Sequence, residues 1–170
     1  MKAKWMTRCA LLAALTAAGA LLRIPVGGLV YTLQLLFTLL SGLLLGAKYG
    51  ALSQLLYVAL GLCGLPVFGA GGGVTYLLQP TCGFVLALPL CAWLAGRLRS
   101  HAAAACLAAL AALYAAGLLY LALLFNVYFG RDLGLWPLAA AYVLPYLPGD
   151  ALKLCACVLL YRRLPGENFS

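Results

Sequence analysis

The sequence predicts an all-α membrane protein in which six transmembrane helices form a single transmembrane domain over residues 1–170. Three observations support this prediction: the composition, the length of the apolar segments and the placement of the basic residues. Of the 170 residues, 66% are hydrophobic and 8% are charged, whereas an average soluble domain has roughly 25% charged residues. With 11 Lys and Arg and 3 Asp and Glu, the chain has too few polar side chains to cover a soluble fold. We therefore expect lipid to surround it.

Six segments approach the roughly 20 mostly apolar residues that a helix needs to cross a bilayer. They cover about residues 6–22, 29–46, 49–65, 81–96, 102–125 and 136–161. The first segment ends before Arg23 and Pro25, and Lys48 separates the second from the third. Arg97 follows the fourth segment and Arg131 follows the fifth. Prolines interrupt the sixth segment.

The basic residues predict the orientation of these spans. If consecutive spans cross in opposite directions, most basic residues fall on one side: Lys2, Lys4, Arg8, Lys48, Arg97, Arg99, Arg162 and Arg163. Only Arg23 and Arg131 fall on the other side. Because an excess of Lys and Arg marks the cytoplasmic side, we expect the N and C termini to be cytoplasmic. The basic residues are scattered in ones and twos along the chain, which argues against nucleic-acid binding despite a net charge of +8.

Asp150 and Lys153 are the strongest candidates for a functional site, because they interrupt the sixth apolar segment. A charged side chain at the centre of a span costs roughly 2.5–3.5 kcal/mol on insertion scales. Their i, i+3 spacing puts both on one helix face, where they can neutralise each other and point into the bundle. We predict that they bind a polar ligand in an apolar cavity; the alternative is an ion pair that only holds helices together. Pro145 and Pro148 precede the pair and predict either a kink or a restarted helix.

The segment over residues 64–81, hereafter the glycine-rich loop, contains no charged residue. Irregular backbone at membrane depth is tolerated where protein buries it or where it lines a cavity. We therefore predict a lid or a pocket wall, with a flexible hairpin as the alternative. Candidates for the mouth of the pocket come from this loop and from the first outside loop: Arg23, Tyr31, Thr32, Gln34, Tyr76, Gln79 and Thr81. Such residues can instead anchor a chain at the membrane interface.

Small residues repeat along the first helix. Ala10, Ala14 and Ala18 recur at every fourth position, which flattens one helix face so that another helix can approach closely. The pattern predicts a docking face for a partner, and packing within the chain is an equal alternative.

No arrangement of residues typical of an enzyme is found in the sequence. The single histidine, His101, is placed at the inner end with Arg97 and Arg99, and no serine occupies a GxSxG motif. The absence of GxxxxGK[ST] predicts that the chain does not itself hydrolyse nucleotide. Its seven cysteines lack the spacing of a zinc site. We expect no enzyme activity, no cofactor and no metal.

Four stretches carry a resemblance to a known family. They are YTLQLL from Tyr31, GAKYGALSQLLYVALGLCGLPVFGAGGG from Gly46, QPTCGF from Gln79 and PYLPGDALK from Pro145. Together they cover most of the chain, and the order of the GLPVF, glycine-rich and PGDxxK elements is quite specific. The sequence resembles the biotin-specific substrate-binding (S) components of energy-coupling factor transporters, the BioY type.

The resemblance implies a six-helix S-component fold in the plasma membrane of a prokaryote, with a biotin pocket under the outer loops. Asp150 and Lys153 match the polar pair implicated in holding biotin. The remaining candidates for the biotin site are Arg23, Tyr31, Thr32, Phe68, Gly72, Tyr76 and Gln79.

In such transporters the partners are a membrane coupling protein and two ATPase subunits that use the ATP. The alanine face of the first helix, Ala10, Ala14 and Ala18, matches the surface that docks on the coupling protein. Two alternatives stay open: an S component for another vitamin, and a non-catalytic membrane assembly subunit.

Overall fold

The computed structural model describes residues 2–26, 29–69 and 71–164, so that Met1, residues 27–28, Ala70 and residues 165–170 of the predicted domain lie outside the described residues. The described chain is mostly helical. Its helices are α1 (Lys2–Leu21), α2 (Gln34–Leu62), α3 (Cys82–Leu86), α4 (Leu88–Arg97), α5 (Ala102–Leu123), α6 (Leu135–Tyr142) and α7 (Leu147–Arg163). Two short strands, β1 (Arg23–Val26) and β2 (Leu29–Thr32), lie between α1 and α2.

The two strands correct the sequence prediction at the start of the second span. Residues 29–32 pair antiparallel with β1 instead of beginning a helix, and Arg23 lies opposite Thr32. RIPV and LVYT contain β-branched and aromatic residues, which favour strands, and Pro25 does not favour a helix interior. The second span was therefore predicted to begin too early, and the fold contains a β-hairpin that the all-α prediction lacked.

Helix α2 folds back on itself at Gly46, which has a φ of 77° that a side chain would disfavour. Its two arms, residues 34–45 and 47–62, lie side by side. The Gln34 amide nitrogen is 3.1 Å from the Tyr57 hydroxyl oxygen, although these residues would be about 34 Å apart in a straight helix. Gly42 and Gly50 lie against each other between the two arms. The predicted boundary between the second and third spans therefore corresponds to a real turn.

Glycines also set the contacts of the remaining helices. A side chain at Gly42 would collide with the backbone of α4, and α4 in turn brings Gly96 against the turn at Gly46. Between α3 and α5 the packing is reciprocal: the Tyr120 ring covers Gly83, and the Phe84 ring covers Gly117. Missing Cβ atoms allow these close approaches in a bundle whose core is rich in Leu, Ala and Cys.

The predicted sixth span is two helices. α6 ends at Tyr142, a turn occupies Leu144–Tyr146, and α7 begins at Leu147 with Pro148 in its first turn. Proline is tolerated there because the first N–H groups of a helix have no partner within the helix. The interruption predicted from the prolines is thus a restart, and it places Asp150 in the first turn of α7.

Three helical stretches of the described chain are long and apolar enough to cross a membrane: Gln34–Leu62, Arg99–Tyr128 and Leu135–Arg163. Basic residues gather at the end of the bundle that contains Gly46. The Arg99 guanidinium lies beside Gly46, and Arg8 lies over the Trp5 ring, which stacks on Tyr49.

Candidate functional site

A cavity of about 450 Å³ opens between the β-hairpin, the glycine-rich loop and helices α5 to α7. Most of its wall is aliphatic or aromatic. The side chains that can form hydrogen bonds or carry charge are Arg23, Thr32, Gln34, Tyr76, Thr81, Tyr114, Tyr142, Tyr146, Asp150 and Lys153. A cavity of this volume, mainly apolar with a few polar groups, is typical of small-molecule binding sites.

Asp150 and Lys153 form the charged floor of this cavity. The Lys153 ammonium donates to Asp150 Oδ1 at 2.6 Å, and the Tyr114 hydroxyl from α5 donates to Asp150 Oδ2 at 2.5 Å. Each carboxylate oxygen can accept more than one hydrogen bond, and an ammonium has three N–H groups. The pair therefore keeps both acceptor and donor capacity for a molecule in the cavity.

Asp150 also interacts with the helix to which it belongs. It lies in the first turn of α7, where the positive end of the helix dipole stabilises an anion. Lys153 Nζ lies 5.6 Å from the centre of the Tyr31 ring, within the range of a cation–π interaction. The Asp150–Lys153 pair is the single salt bridge among the described residues.

The β-hairpin supplies the outer edge of the cavity. Cross-strand neighbours project to the same face of a hairpin, and the pair Arg23 and Thr32 faces the cavity. Tyr31 belongs to the other face because successive side chains alternate. Its hydroxyl donates to the Pro145 carbonyl at 2.7 Å, and its ring covers Gly149, so that it ties the hairpin to the start of α7.

The glycine-rich loop supplies another wall, but through other residues than the sequence suggested. Tyr76 and Gly69 line the cavity. Phe68 is 1% exposed and packs between Tyr57 and Tyr76 beneath the loop. Gly72 lies against the backbone of the loop and of α2, and the lining of the cavity does not include Gln79, which is exposed.

Tyr76 is held by a 3.2 Å hydrogen bond between its hydroxyl and that of Thr81. Burial raises the pKa of the Tyr76 phenol above its ordinary value. The hydroxyl is therefore neutral at physiological pH and can both donate and accept hydrogen bonds.

Formal charges at the cavity give it a positive balance. Arg23 and Lys153 are cationic, and Asp150 is the one anionic residue in the lining. Arg23 is exposed and has no salt bridge within the described chain. The cavity is thus suited to a molecule with a polar group at the Asp150 end and a negative charge near the Arg23 edge.

Of the nine residues predicted to contact a ligand, five line the cavity: Arg23, Thr32, Tyr76, Asp150 and Lys153. Tyr31, Phe68, Gly72 and Gln79 do not. Contact with a ligand stays a prediction for all nine. Sequence reasoning missed Tyr114, Tyr142 and Tyr146, which also line the cavity, because a tyrosine in an apolar segment fits a protein core or a membrane interface equally well.

The predicted docking residues lie on the outside of the bundle. Ala10, Ala14 and Ala18 are exposed on α1, whereas Leu12 and Thr16 on its opposite face are buried. An exposed face of small residues is available for another helix, and its use for docking stays a prediction.

The fold and the cavity together define a helical membrane protein that encloses a small-molecule-sized cavity near one end of its bundle. The family model described as "BioY family" matches residues 1–167, and the chain belongs to this family.

Individual relatives agree with that assignment. A protein of Pyrococcus horikoshii named "Probable biotin transporter BioY" is 37% identical over 99% of this chain and 100% of its own length. The "Biotin transporter BioY" of Rhodobacter capsulatus is 35% identical over 89% of this chain and 87% of its own length. A crystal structure described as the S-component for biotin from an ECF-type ABC transporter superposes with a TM-score of 0.82 at 27% identity, covering 98% of this chain and 93% of that one.

Proposed function

We propose that this chain is the biotin-binding subunit of a vitamin uptake transporter of the energy-coupling factor type. The observation that carries the proposal is the cavity with the Asp150–Lys153 pair at its floor in a chain of the BioY family. The named relatives are biotin transporters, and the matched structure is described as the S-component for biotin.

The chemistry of biotin suits this cavity. Its ureido ring offers N–H donors and a carbonyl acceptor, its fused thioether ring is apolar, and its tail ends in a carboxylate. Asp150 accepts from a ureido N–H group and Lys153 donates to the ureido oxygen, while the aromatic and aliphatic wall covers the ring. A carboxylate tail that points outward meets the guanidinium of Arg23, which can bind it in a bidentate manner.

The chain crosses the membrane six times in this proposal, with the arms of α2 as two crossings and α6 with α7 as one. Arg8, Lys48 and Arg99 belong to the end that contains Gly46, and the positive-inside rule makes that end cytoplasmic. The cavity then opens outward, and both termini are cytoplasmic. The host membrane is the plasma membrane of a prokaryote.

ATP-driven transport requires partners, since the sequence has no nucleotide-binding motif of its own. We assign the ATP-driven step to a module of one membrane coupling protein and two ATPase subunits. The exposed face of Ala10, Ala14 and Ala18 is the docking surface for the coupling protein, because small residues let a second helix approach closely.

The test is equilibrium binding of radiolabelled biotin to the purified chain in detergent, followed by uptake in cells with and without the module. We expect saturable binding of one biotin per chain, and Ala14→Leu is expected to leave binding intact while lowering module-dependent uptake. A folded chain that does not bind biotin would refute the function. Copurification of a different vitamin, identified by mass spectrometry, would show that the ligand is not biotin, while the chain would still be a vitamin-binding subunit.

A further inference from the structure

Tyr57 joins the binding cavity to the glycine-rich loop without itself lining the cavity. Its side chain is 1% exposed in the second arm of α2. The Tyr57 hydroxyl donates to the Val67 carbonyl of the loop at 3.0 Å. The same oxygen accepts from the Gln34 amide nitrogen at 3.1 Å, and Gln34 lines the cavity.

The direction of these bonds fixes the Gln34 amide. Because the Tyr57 hydroxyl donates its proton to the Val67 carbonyl, the Tyr57 oxygen accepts the hydrogen bond from Gln34. Gln34 therefore presents Nε2 to Tyr57 and turns Oε1 away. Within the described chain, Gln34 Oε1 has no hydrogen-bond donor and is not buried. It can therefore accept a hydrogen bond from a molecule in the cavity. A chain of hydrogen bonds polarises its members, so this acceptor is strengthened.

The loop is held by its packing as well as by this bond. The Phe68 ring lies on Gly61, where any Cβ would overlap it, and its centre is 5.5 Å from that of Tyr57. On its other side the centre of Phe68 is 4.7 Å from that of Tyr76, which lines the cavity. The Gly73 amide donates to the Gly61 carbonyl at 2.7 Å. The cavity wall at Tyr76 is therefore supported by a stack that ends on Tyr57.

We propose that Tyr57 is a positioning residue of the binding site: it orients the Gln34 amide toward the ligand and holds the glycine-rich loop as a wall of the cavity. The inference rests on the proposed function for its ligand. Biotin has N–H groups from which Gln34 Oε1 can accept, and Tyr76 belongs to the wall that surrounds the bound ligand. Tyr57 thus controls residence time more than the rate of entry, as is usual for changes within one binding site.

The experiment compares Tyr57→Phe with Tyr49→Phe, which makes the same change in the same arm of α2. Tyr49 stacks on Trp5 at the Gly46 end, away from the cavity. For Tyr57→Phe we expect biotin affinity to fall about tenfold, with most of the loss in faster dissociation. Tyr49→Phe is expected to bind like the wild type.

A cycle with Gln34→Ala separates positioning from a general loss of stability. If Tyr57 acts through Gln34, its substitution costs less affinity when Gln34 is already alanine, so that the two effects are not additive. Fully additive losses, or unchanged affinity and dissociation in Tyr57→Phe, would overturn the role of Tyr57.

A second variant reaches the loop without removing a hydrogen bond. Gly61→Ala places a methyl group where the Phe68 ring lies, and it serves if Tyr57→Phe does not fold. Both variants are expected to speed hydrogen exchange of the loop amides, measured by mass spectrometry without any ligand. Unchanged exchange in a folded variant would refute the support of the wall. This readout holds even if the wild-type chain fails to bind biotin, a result that would refute the proposed function instead.

Discussion

Asp150→Asn is expected to weaken biotin binding by about ten- to a hundredfold. The side chain keeps its shape and loses its charge. In the wild type, Asp150 accepts from Lys153 at 2.6 Å and from Tyr114 at 2.5 Å, and both partners are donors. An asparagine has one acceptor oxygen, so one donor is left facing the amide N–H₂. A hydrogen bond to a charged group is worth about 1.5–3 kcal/mol, and each 1.4 kcal/mol is about tenfold in affinity.

The same change also lowers stability, because Lys153 is left without its counter-charge. Asp150 is 7% exposed, and removing one partner of a buried pair typically costs about 3–5 kcal/mol. The double variant Asp150→Asn with Lys153→Met removes both charges and is the matched control. We expect it to recover the unfolding temperature of the wild type in large part, since neutral replacements of a buried pair are often tolerated.

The assay measures thermal unfolding and equilibrium biotin binding on the same detergent preparations. If the pair holds the ligand, the double variant is stable and still binds biotin weakly. If it is only a link between helices, the double variant recovers both stability and affinity. Wild-type affinity in either the single or the double variant would refute the assignment of these residues to the site.

Three further predictions follow from the geometry. Arg23→Gln is expected to weaken biotin binding about two- to fivefold, as suits an exposed charge, and to leave the binding of biotin amide unchanged; equal losses for both ligands would contradict a contact with the carboxylate. Tyr114→Phe removes a donor to Asp150 and is expected to lower affinity about tenfold by titration calorimetry, with wild-type affinity as the contrary result. Gly42→Ala pushes a methyl group into the backbone of α4 and is expected to destabilise the fold by about 1–3 kcal/mol. Gly134→Ala, where the added atom meets only ordinary contact, is its control in thermal unfolding, and equal melting of both variants would contradict the packing.

The charged floor of the site could be predicted from the sequence because charged residues are rare within an apolar segment. Asp150 and Lys153 are charged residues in an apolar segment, and their spacing fixes a common face without knowledge of the fold. Tyr114 could not be assigned to the site in this way, since a tyrosine is compatible with lipid, interface or core. It reaches Asp150 only because α5 packs beside the start of α7.

The loops were predictable in kind and not in detail. The composition of the glycine-rich loop correctly indicated a segment that folds against the bundle. Whether Phe68 or Tyr76 faces the cavity depends on which ring covers Gly61, a contact between positions that the sequence pattern does not connect. The four residues of LVYT are too few to distinguish a strand from the start of an apolar helix, so that the hairpin was missed. For the same reason, the sequence did not predict that Tyr31 and Thr32 lie on opposite faces of the hairpin.

The division of α2 near Gly46 was predictable because Lys48 interrupts the apolar sequence. What could not be predicted is how closely the arms of α2 approach. That distance depends on Gly42 and Gly50 meeting face to face, which requires the turn geometry at Gly46.

The most direct test of the account is a structure of the purified chain with biotin bound. We expect the ureido group within hydrogen-bonding distance of Asp150 and Lys153, and the carboxylate directed toward Arg23. Biotin seated elsewhere, with the Asp150–Lys153 pair in contact only with protein, would contradict the assignment of the site.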